Sequence, residues 1–333
     1  MSEFDIVIAT RDRLESLLIL INQIYQSSVL PTNIVIVDSS ENNNNHLFID
    51  SPLIKYFHFD RQNKLRQQYF GYKQCTSPIL VFIDDDMRIT NFDCFNFILK
   101  NYENDEDLSG VQPNFIYKNS FFEQKLPKSK FRENQFLKKF SSLFKIIFLR
   151  KILAQGKVSY SGLKANKPIS DGYIEWFYGP IFSAKRNQIF KKLNFKALEV
   201  FDTDFAYGED FLIGMTLSTH GNIRYLSESY FLHEDSNRSF FTEDIKAYAK
   251  RVAYSRLFLG FEYSRLNSKN FFSAYLHYNV SFFGLILGLI LNQFLSYSKN
   301  RSDLFSGYLL GYFNAIKDRK KLKEYIDEEG VQQ

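Results

Sequence analysis

Cysteine is nearly absent. Cys75 and Cys94 are the only two in 333 residues, and they form neither a disulfide framework nor a zinc-ligand pattern. The chain opens without a basic region followed by an apolar stretch of signal-peptide length, so a reducing, cytoplasmic setting is expected. No glycine-rich phosphate loop follows the first predicted strand. Thr10, Arg11, Asp12 and Arg13 stand there instead, which argues against a nucleotidyltransferase. Formal charge is missing from Asn270 to Ser298, which holds no Asp, Glu, Lys or Arg. Acidic residues are scarce between Lys118 and Lys167, where 13 Lys or Arg meet 2 Asp or Glu. That is a local balance of +11 in a chain of +5, which leaves −6 elsewhere. So basic a block calls for an anionic partner: membrane headgroups, nucleic acid or a phosphorylated substrate.

What is present reads as a globular α/β chain. Hydrophobic residues make up 45% and charged ones 24%, and the length suffices for one large α/β domain with an appendage. Ile79 to Ile83 is an unbroken apolar run rich in branched side chains, the pattern of a strand buried on both faces of a parallel sheet. Three carboxylates follow: Asp84, Asp85 and Asp86. In extended chain Asp84 and Asp86 leave the same face. Hard oxygen ligands at the carboxyl end of a central strand suit Mg²⁺ or Mn²⁺ with a diphosphate. The plainer alternative is a solvated acidic turn. Further strands are predicted at Phe4–Thr10, Asn33–Val37 and Ile54–Phe59, with helices at Leu14–Tyr25 and Gln62–Lys73. Strand and helix alternate at βαβ spacing, which predicts a parallel, doubly wound sheet.

Several residues carry two readings each. Asp38, directly after the second strand, is placed to read a nucleobase or ribose hydroxyl, or to cap the following turn. Glu209 and Asp210 open a helix running to about His220, where they serve the helix dipole or supply a general base. Short strands are predicted at Arg224–Leu226 and Ser229–Leu232, the second ending at His233, which is a structural histidine or a third metal ligand. In residues 131–155, Phe136, Phe140, Phe144 and Phe148 recur with Leu and Ile at helical spacing, between Lys138, Lys139, Lys145, Arg150 and Lys151. This is an interfacial membrane helix, or a helix packed on the sheet. The aromatics follow amphipathic-helix spacing rather than forming a stacking platform, so no nucleic-acid partner is expected. A charged, aromatic helix at Thr242–Tyr263 precedes the apolar run, which is long enough to cross a bilayer but diluted by Asn270, His277, Asn279, Asn292 and Gln293. Leu304–Ile316 is a second apolar segment, too short to span alone. Lys269 and Lys299 flank the run evenly, so charge gives no orientation. An interfacial or re-entrant hairpin, a true span and a buried helix all stay open.

Six motifs in order resemble a family 2 glycosyltransferase, over about Asp5 to Glu234. They are Ile8-Ala9-Thr10-Arg11-Asp12-Arg13, Val35-Ile36-Val37-Asp38-Ser39-Ser40, Phe82-Ile83-Asp84-Asp85-Asp86, Trp176-Phe177-Tyr178-Gly179, Gly208-Glu209-Asp210 and Leu232-His233-Glu234. The resemblance implies the GT-A (nucleotide-diphospho-sugar transferase) fold, a Rossmann-like, mostly parallel sheet, here with a helical, apolar C-terminal extension. It implies a glycosyltransferase domain at 1–240, with 118–167 as a basic amphipathic insertion, and a membrane-associating region at 241–333. By the same resemblance, Thr10, Arg13, Asp38, Arg66, Asp84 and Asp85 hold the nucleotide of an activated sugar. Asp86 and His233, with Asp84, bind Mn²⁺ or Mg²⁺. Asp210 is the general base of an inverting displacement, Glu209 orients acceptor or donor sugar, and Trp176 and Gly179 line the sugar pocket. The implied partners are a nucleotide-sugar donor, a lipid-linked glycan acceptor in bacterial surface polysaccharide synthesis, and a membrane surface met through 131–155 and 270–316. The expected location is the cytoplasmic face of the plasma membrane. Two departures stand out. The family often has Gln-Arg-Asn-x-Gly before the Asp-x-Asp strand, where this chain has Gln67-Gln68-Tyr69-Phe70-Gly71; its Arg-Asn pair is missing, and Lys64 and Arg66 are candidates for a nearby cation. Many members place an arginine six residues after the base, where Thr216 stands. The competing readings are an Asp-x-Asp phosphotransferase, whose first Asp is a nucleophile, and an inactive, membrane-bound scaffold.

Overall fold

The sheet is built outward from its most apolar strands. In the computed structural model, which describes residues 3–60, 63–118, 143–149, 155–166, 168–194, 197–201, 207–234, 244–295 and 299–327, the chain divides into two compact units. The first comprises Met1–Asn119, Pro168–Leu193 and Glu209–Asp235, and the second Ser120–Lys167, Asn194–Gly208 and Ser236–Gln333.

In the first unit the elements run β1 (Phe4–Thr10), α1 (Leu14–Tyr25), β2 (Asn33–Asp38), β3 (Ile54–His58), α2 (Lys64–Gln74), β4 (Ile79–Ile83) and β5 (Met87–Ile89). They continue with α3 (Cys94–Asn104), β6 (Leu108–Tyr117), β7 (Gly172–Ile174), β8 (Ile181–Lys185), α4 (Glu209–Leu217) and β9 (Asn222–His233). The strand order is β3-β2-β1-β4-β8-β6-β9-β5, with β7 also paired to β9. The strands β3, β2, β1 and β4 are parallel, as their unbroken apolar runs predict. Strand β8 turns antiparallel between β4 and β6, and β6 pairs with β9 in parallel. The carboxyl ends of β1, β2, β4 and β9 therefore share one edge, the edge where open α/β sheets bind ligands.

Both faces of β1 and β4 are covered. Ile6, Ile8, Val81 and Ile83 meet Leu17, Leu20 and Ile24 of α1 and Phe95, Ile98 and Leu99 of α3 in one buried cluster. On the other face α2 comes so close that a Cβ on Gly71 would lie 2.6 Å from Val7 Cγ1. Thus the glycine of the Gln67–Gly71 stretch serves helix–sheet packing. Gln67 serves it too: its amide donates to the carbonyls of Thr10 and Val37 at 3.0 and 2.8 Å, clasping the ends of β1 and β2.

The two short strands predicted at Arg224–Leu226 and Ser229–Leu232 are one strand of twelve residues, β9, whose pairing with β6 is interrupted by register shifts. Irregularity of that kind breaks a period-two pattern and hides the continuity from the sequence.

The second unit is helical: α5 (Ile245–Leu266), α6 (Phe271–Leu295), α7 (Lys299–Lys317) and α8 (Arg319–Asp327). It also gathers residues 120–167 and 194–208. Of the expected amphipathic helix at 131–155, only 143–149 and Gln155 lie within the described residues. Helix α7 packs on α5 through glycines: a Cβ on Gly311 would overlap the Lys250 carbonyl and lie 2.8 Å from the Ala253 methyl, and Gly307 meets Ala249 in the same way. Helix α6 is the one described helix long and apolar enough to cross a membrane, over Phe271–Gln293.

Candidate active site

The acidic motifs sit at the ends of apolar elements: one follows a strand and the other opens a helix. β4 ends at Ile83, and the next three residues turn at the shared sheet edge, with the Asp84 amide donating to Pro180 O at 2.8 Å. Asp85 and Asp86 are 3% and 5% exposed, so their charges need partners. Arg13, from the β1–α1 loop, supplies both: its Nη1 is 3.0 Å from Asp85 Oδ1 and 2.8 Å from Asp86 Oδ2. The Thr10 hydroxyl donates to Asp85 Oδ2 at 2.6 Å. Burial pushes the Asp85 carboxyl up to about 6, with Arg13 opposing. Asp86 is also penalised by burial, but the hydrogen bond and charge of His233, and then Arg13, hold it below the usual carboxylate range.

His233 arrives from the other end of the sheet. β5 pairs antiparallel with β9 so that Met87 faces His233, and the Glu234 amide donates to Asp86 O at 3.0 Å. The imidazole Nε2 then stands 3.1 Å from Asp86 Oδ1. Tyr117 packs on this ring at 5.2 Å between centroids, and the neighbouring Glu234 is gripped by Arg88 at 2.8 Å and Lys118 at 2.5 Å. A carboxylate oxygen and an imidazole nitrogen at one point suit Mn²⁺ or Mg²⁺, so the donor set fits such a cation. Among the described residues no three His, Cys, Asp or Glu side chains are grouped to hold a metal by themselves. Asp84 stands outside the pair formed by Asp86 and His233.

The reason is Lys64. Its ammonium is 2.8 Å from Asp84 Oδ2 and 3.4 Å from Glu209 Oε1, so Asp84 turns to α2 rather than to His233. Burial works against a charged lysine here, but the pull of Asp84 and then of Glu209 outweighs it and raises the ammonium's pKa. Burial likewise raises Asp84 and Glu209, with Lys64 opposing in each case. The lysine at the start of α2, rather than Arg66, carries the cation into the cluster. Arg66 is half-buried and leaves α2 about 200° round the axis from Lys64.

Glu209 and Asp210 occupy the first turn of α4, where the helix dipole favours carboxylates. Asp210 is 8% exposed, and its Oδ2 accepts the Gly179 amide at 2.5 Å. Gly179 sits at φ +74°, a left-handed conformation that a side chain would strain. The structure thus brings together Thr10, Arg13, Asp84, Asp85, Asp86, Lys64, Glu209, Asp210, Gly179 and His233.

Asp38 and Trp176 stand differently from expectation. Asp38 is 2% exposed, and its oxygens accept from the Ser40 amide and hydroxyl, from Asn44 at 3.3 Å and from Tyr56 at 2.7 Å. Four donors fill the lone-pair sites of one carboxylate, so Asp38 organises its loop, and a nucleotide hydroxyl would have to displace one of them. Trp176 is 2% exposed, packed on Tyr178 and Phe211, and supports the Tyr178–Gly179 turn from below instead of lining a pocket. Thr216 is fully buried, its hydroxyl donating to Leu212 O, so the family's arginine position falls in the core here. Sequence reasoning passed over Tyr117, Arg88 and Lys118 as a group, because only the β5–β9–β6 ladder assembles them around His233 and Glu234.

Residues 5–154 match the family model of Glycosyl transferase family 2. No curated protein matches the sequence. Among solved structures the chain is similar to GalNAc-T7 with UDP, GalNAc and Mn²⁺, at TM-score 0.52 and 11% identity, covering 86% of this chain and 55% of that one. It thus spans little more than half the length of that protein. It is also similar to the mannosyltransferase PcManGT from Pyrobaculum calidifontis in complex with GDP-Man and Mn²⁺, at TM-score 0.50 and 14% identity, covering 99% of this chain and 86% of that one. At such identities the shared feature is the fold. Residues 5–154 are therefore similar to family 2 glycosyltransferases, and the solved structures share the fold of this chain.

Proposed function

We propose that this chain is an inverting glycosyltransferase that moves a sugar from a nucleotide-diphosphate donor to an acceptor hydroxyl. One observation carries the reading. Lys64 ties Asp84 of the strand-end triplet to Glu209, whose neighbour Asp210 is the candidate base, within the cluster that holds Asp86 and His233. A solvated acidic turn has no need of buried partners drawn from four distant segments.

In this reading Asp86 and His233 would hold the cation beside the donor diphosphate. A bound Mn²⁺ or Mg²⁺ supplies Lewis-acid neutralisation of the leaving group's charge. Arg13 and Lys64 add fixed positive charge beside it. Asp210 takes the proton of the acceptor hydroxyl as its oxygen attacks the anomeric carbon. The bond from that carbon to the diphosphate oxygen breaks, with the electron pair leaving on the diphosphate. One in-line displacement inverts the centre. The Gly179 amide fixes the Asp210 carboxylate, so the base meets the acceptor in a single orientation. Thr10 and Arg13 orient the carboxylates that face the nucleotide.

The acceptor proposed is a lipid-linked glycan of a growing bacterial surface polysaccharide, met at the cytoplasmic face of the plasma membrane. The basic block at 118–167 and the apolar helix α6 support it. The test is incubation with Mn²⁺ and a panel of nucleotide sugars while nucleoside diphosphate release is followed. Slow hydrolysis of one donor is the expected result. Tight donor binding without turnover across the panel would instead make the chain a scaffold.

A further inference from the structure

Among the described residues, the helical unit carries an apolar face that its packing leaves exposed. On α6, Ala274, Tyr278, Ser281, Phe282 and Leu285 are buried in one stripe. Phe272, Leu276 and Phe283 form a second stripe on the opposite side of the helix and are 67%, 49% and 62% exposed. Residues 143–149, from the basic block, dock on this helix through Phe148, whose ring lies 5.8 Å from that of Phe283 and against Gly284. Their own Leu143, Ile146, Ile147 and Leu149 stay exposed. Two segments far apart in sequence therefore combine into one apolar surface.

We infer that this surface is seated on a bilayer from one side only, with α6 lying in the headgroup region rather than crossing the membrane. The inference rests on the membrane association proposed above and adds its geometry. The buried stripe of α6 is tied to charged helices along its length. Arg256 of α5, 6% exposed, donates to Ser281 Oγ at 2.8 Å, close to the midpoint of α6. Tyr278 donates to Ala253 O of α5 at 2.9 Å, Tyr312 of α7 donates to Asn279 at 2.6 Å, and Arg301 of α7 donates to Asn292 O at 3.0 Å. A spanning α6 would carry Arg256 to the bilayer centre and drag Lys246, Lys250 and Arg251 of α5 after it, among the costliest placements in a membrane. One-sided seating keeps those charges in the protein and in water, and immerses only the exposed stripe. The occupant is a lipid surface because the block that contributes 143–149 holds 13 cations against 2 acids, which matches anionic headgroups. A second copy of the chain would bring that block against itself and be repelled.

The test uses the full chain and three readouts. In flotation, the chain should rise with phosphatidylcholine vesicles containing phosphatidylglycerol and stay behind when the anionic lipid is omitted. Failure to float with either overturns the membrane reading as well as its geometry. Lys269→Cys and Lys299→Cys, exposed at the two ends of α6, can be made in the native background because Cys75 and Cys94 are buried. In membranes of expressing cells, both should react with an impermeant maleimide in inverted vesicles and neither in intact spheroplasts. Labelling of one site from each side would establish a span and refute this inference alone. The double variant Phe272→Glu/Phe283→Glu should lower vesicle partitioning by roughly 100-fold or more, with unchanged circular dichroism and donor hydrolysis. Unchanged flotation of that variant, or its conversion of a lipid-free dimer to a monomer, would assign the face elsewhere.

Discussion

Lys64 illustrates what one side chain does between two acidic motifs. Removing its charge leaves Asp84 and Glu209 as uncompensated neighbours. Their side chains are 24% and 18% exposed, so water screens part of the penalty. Lys64→Met should cost about 1–3 kcal/mol in urea unfolding and weaken donor binding at least tenfold. Asp210→Asn keeps the shape and the Gly179 contact but removes the proposed proton acceptor. It should slow transfer by about 10²–10⁴-fold while the donor Kd stays within about twofold, measured by calorimetry. Transfer at the normal rate by that variant would remove Asp210 from the mechanism.

At the scale of elements, the fold depends on close approaches that only glycine allows. Gly71→Ala would drive a methyl into Val7 between α2 and β1, and Gly311→Val would press branched carbons against the Lys250 backbone between α7 and α5. Each should destabilise by about 1–3 kcal/mol in thermal or chemical melts. Gly172 in β7 has only Ser170 O at 4.0 Å from its would-be Cβ, so Gly172→Ala should stay within about 0.5 kcal/mol of the native protein. Most elements were legible from the sequence. The strands β1 and β4 and helix α1 carry unbroken or helically spaced apolar residues and form over the predicted residues. Strands β5 and β6 were not, since Met87–Ile89 is three residues long and Leu108–Tyr117 mixes Ser, Gly, Gln, Pro and Asn into its pattern.

For the whole molecule, donor and metal should stabilise the fold together. A nucleotide sugar at about 100 times its Kd adds about 2.7 kcal/mol to a chain that binds it only when folded. With Asp86 and His233 as the proposed protein ligands of the cation, chelation by EDTA should abolish this gain in a thermal-shift measurement, and so should Asp86→Ala. A donor-induced shift that survives EDTA would count against a metal-bridged diphosphate.

The chain's order of residues, taken alone, settles the local matters. Apolar runs become parallel strands, a carboxylate triplet ends the fourth of them, and an uncharged stretch of more than twenty residues becomes one long helix. Hydrophobic burial and backbone hydrogen bonding act between near neighbours and leave their mark in spacing. The tertiary structure decides which distant groups meet. Strand register sets Met87 opposite His233, and a helix start sets Lys64 between Asp84 and Glu209. Asp38 is filled by its own loop and Trp176 is buried under a turn. Such pairings depend on packing and register across the whole sheet, which no local spacing encodes.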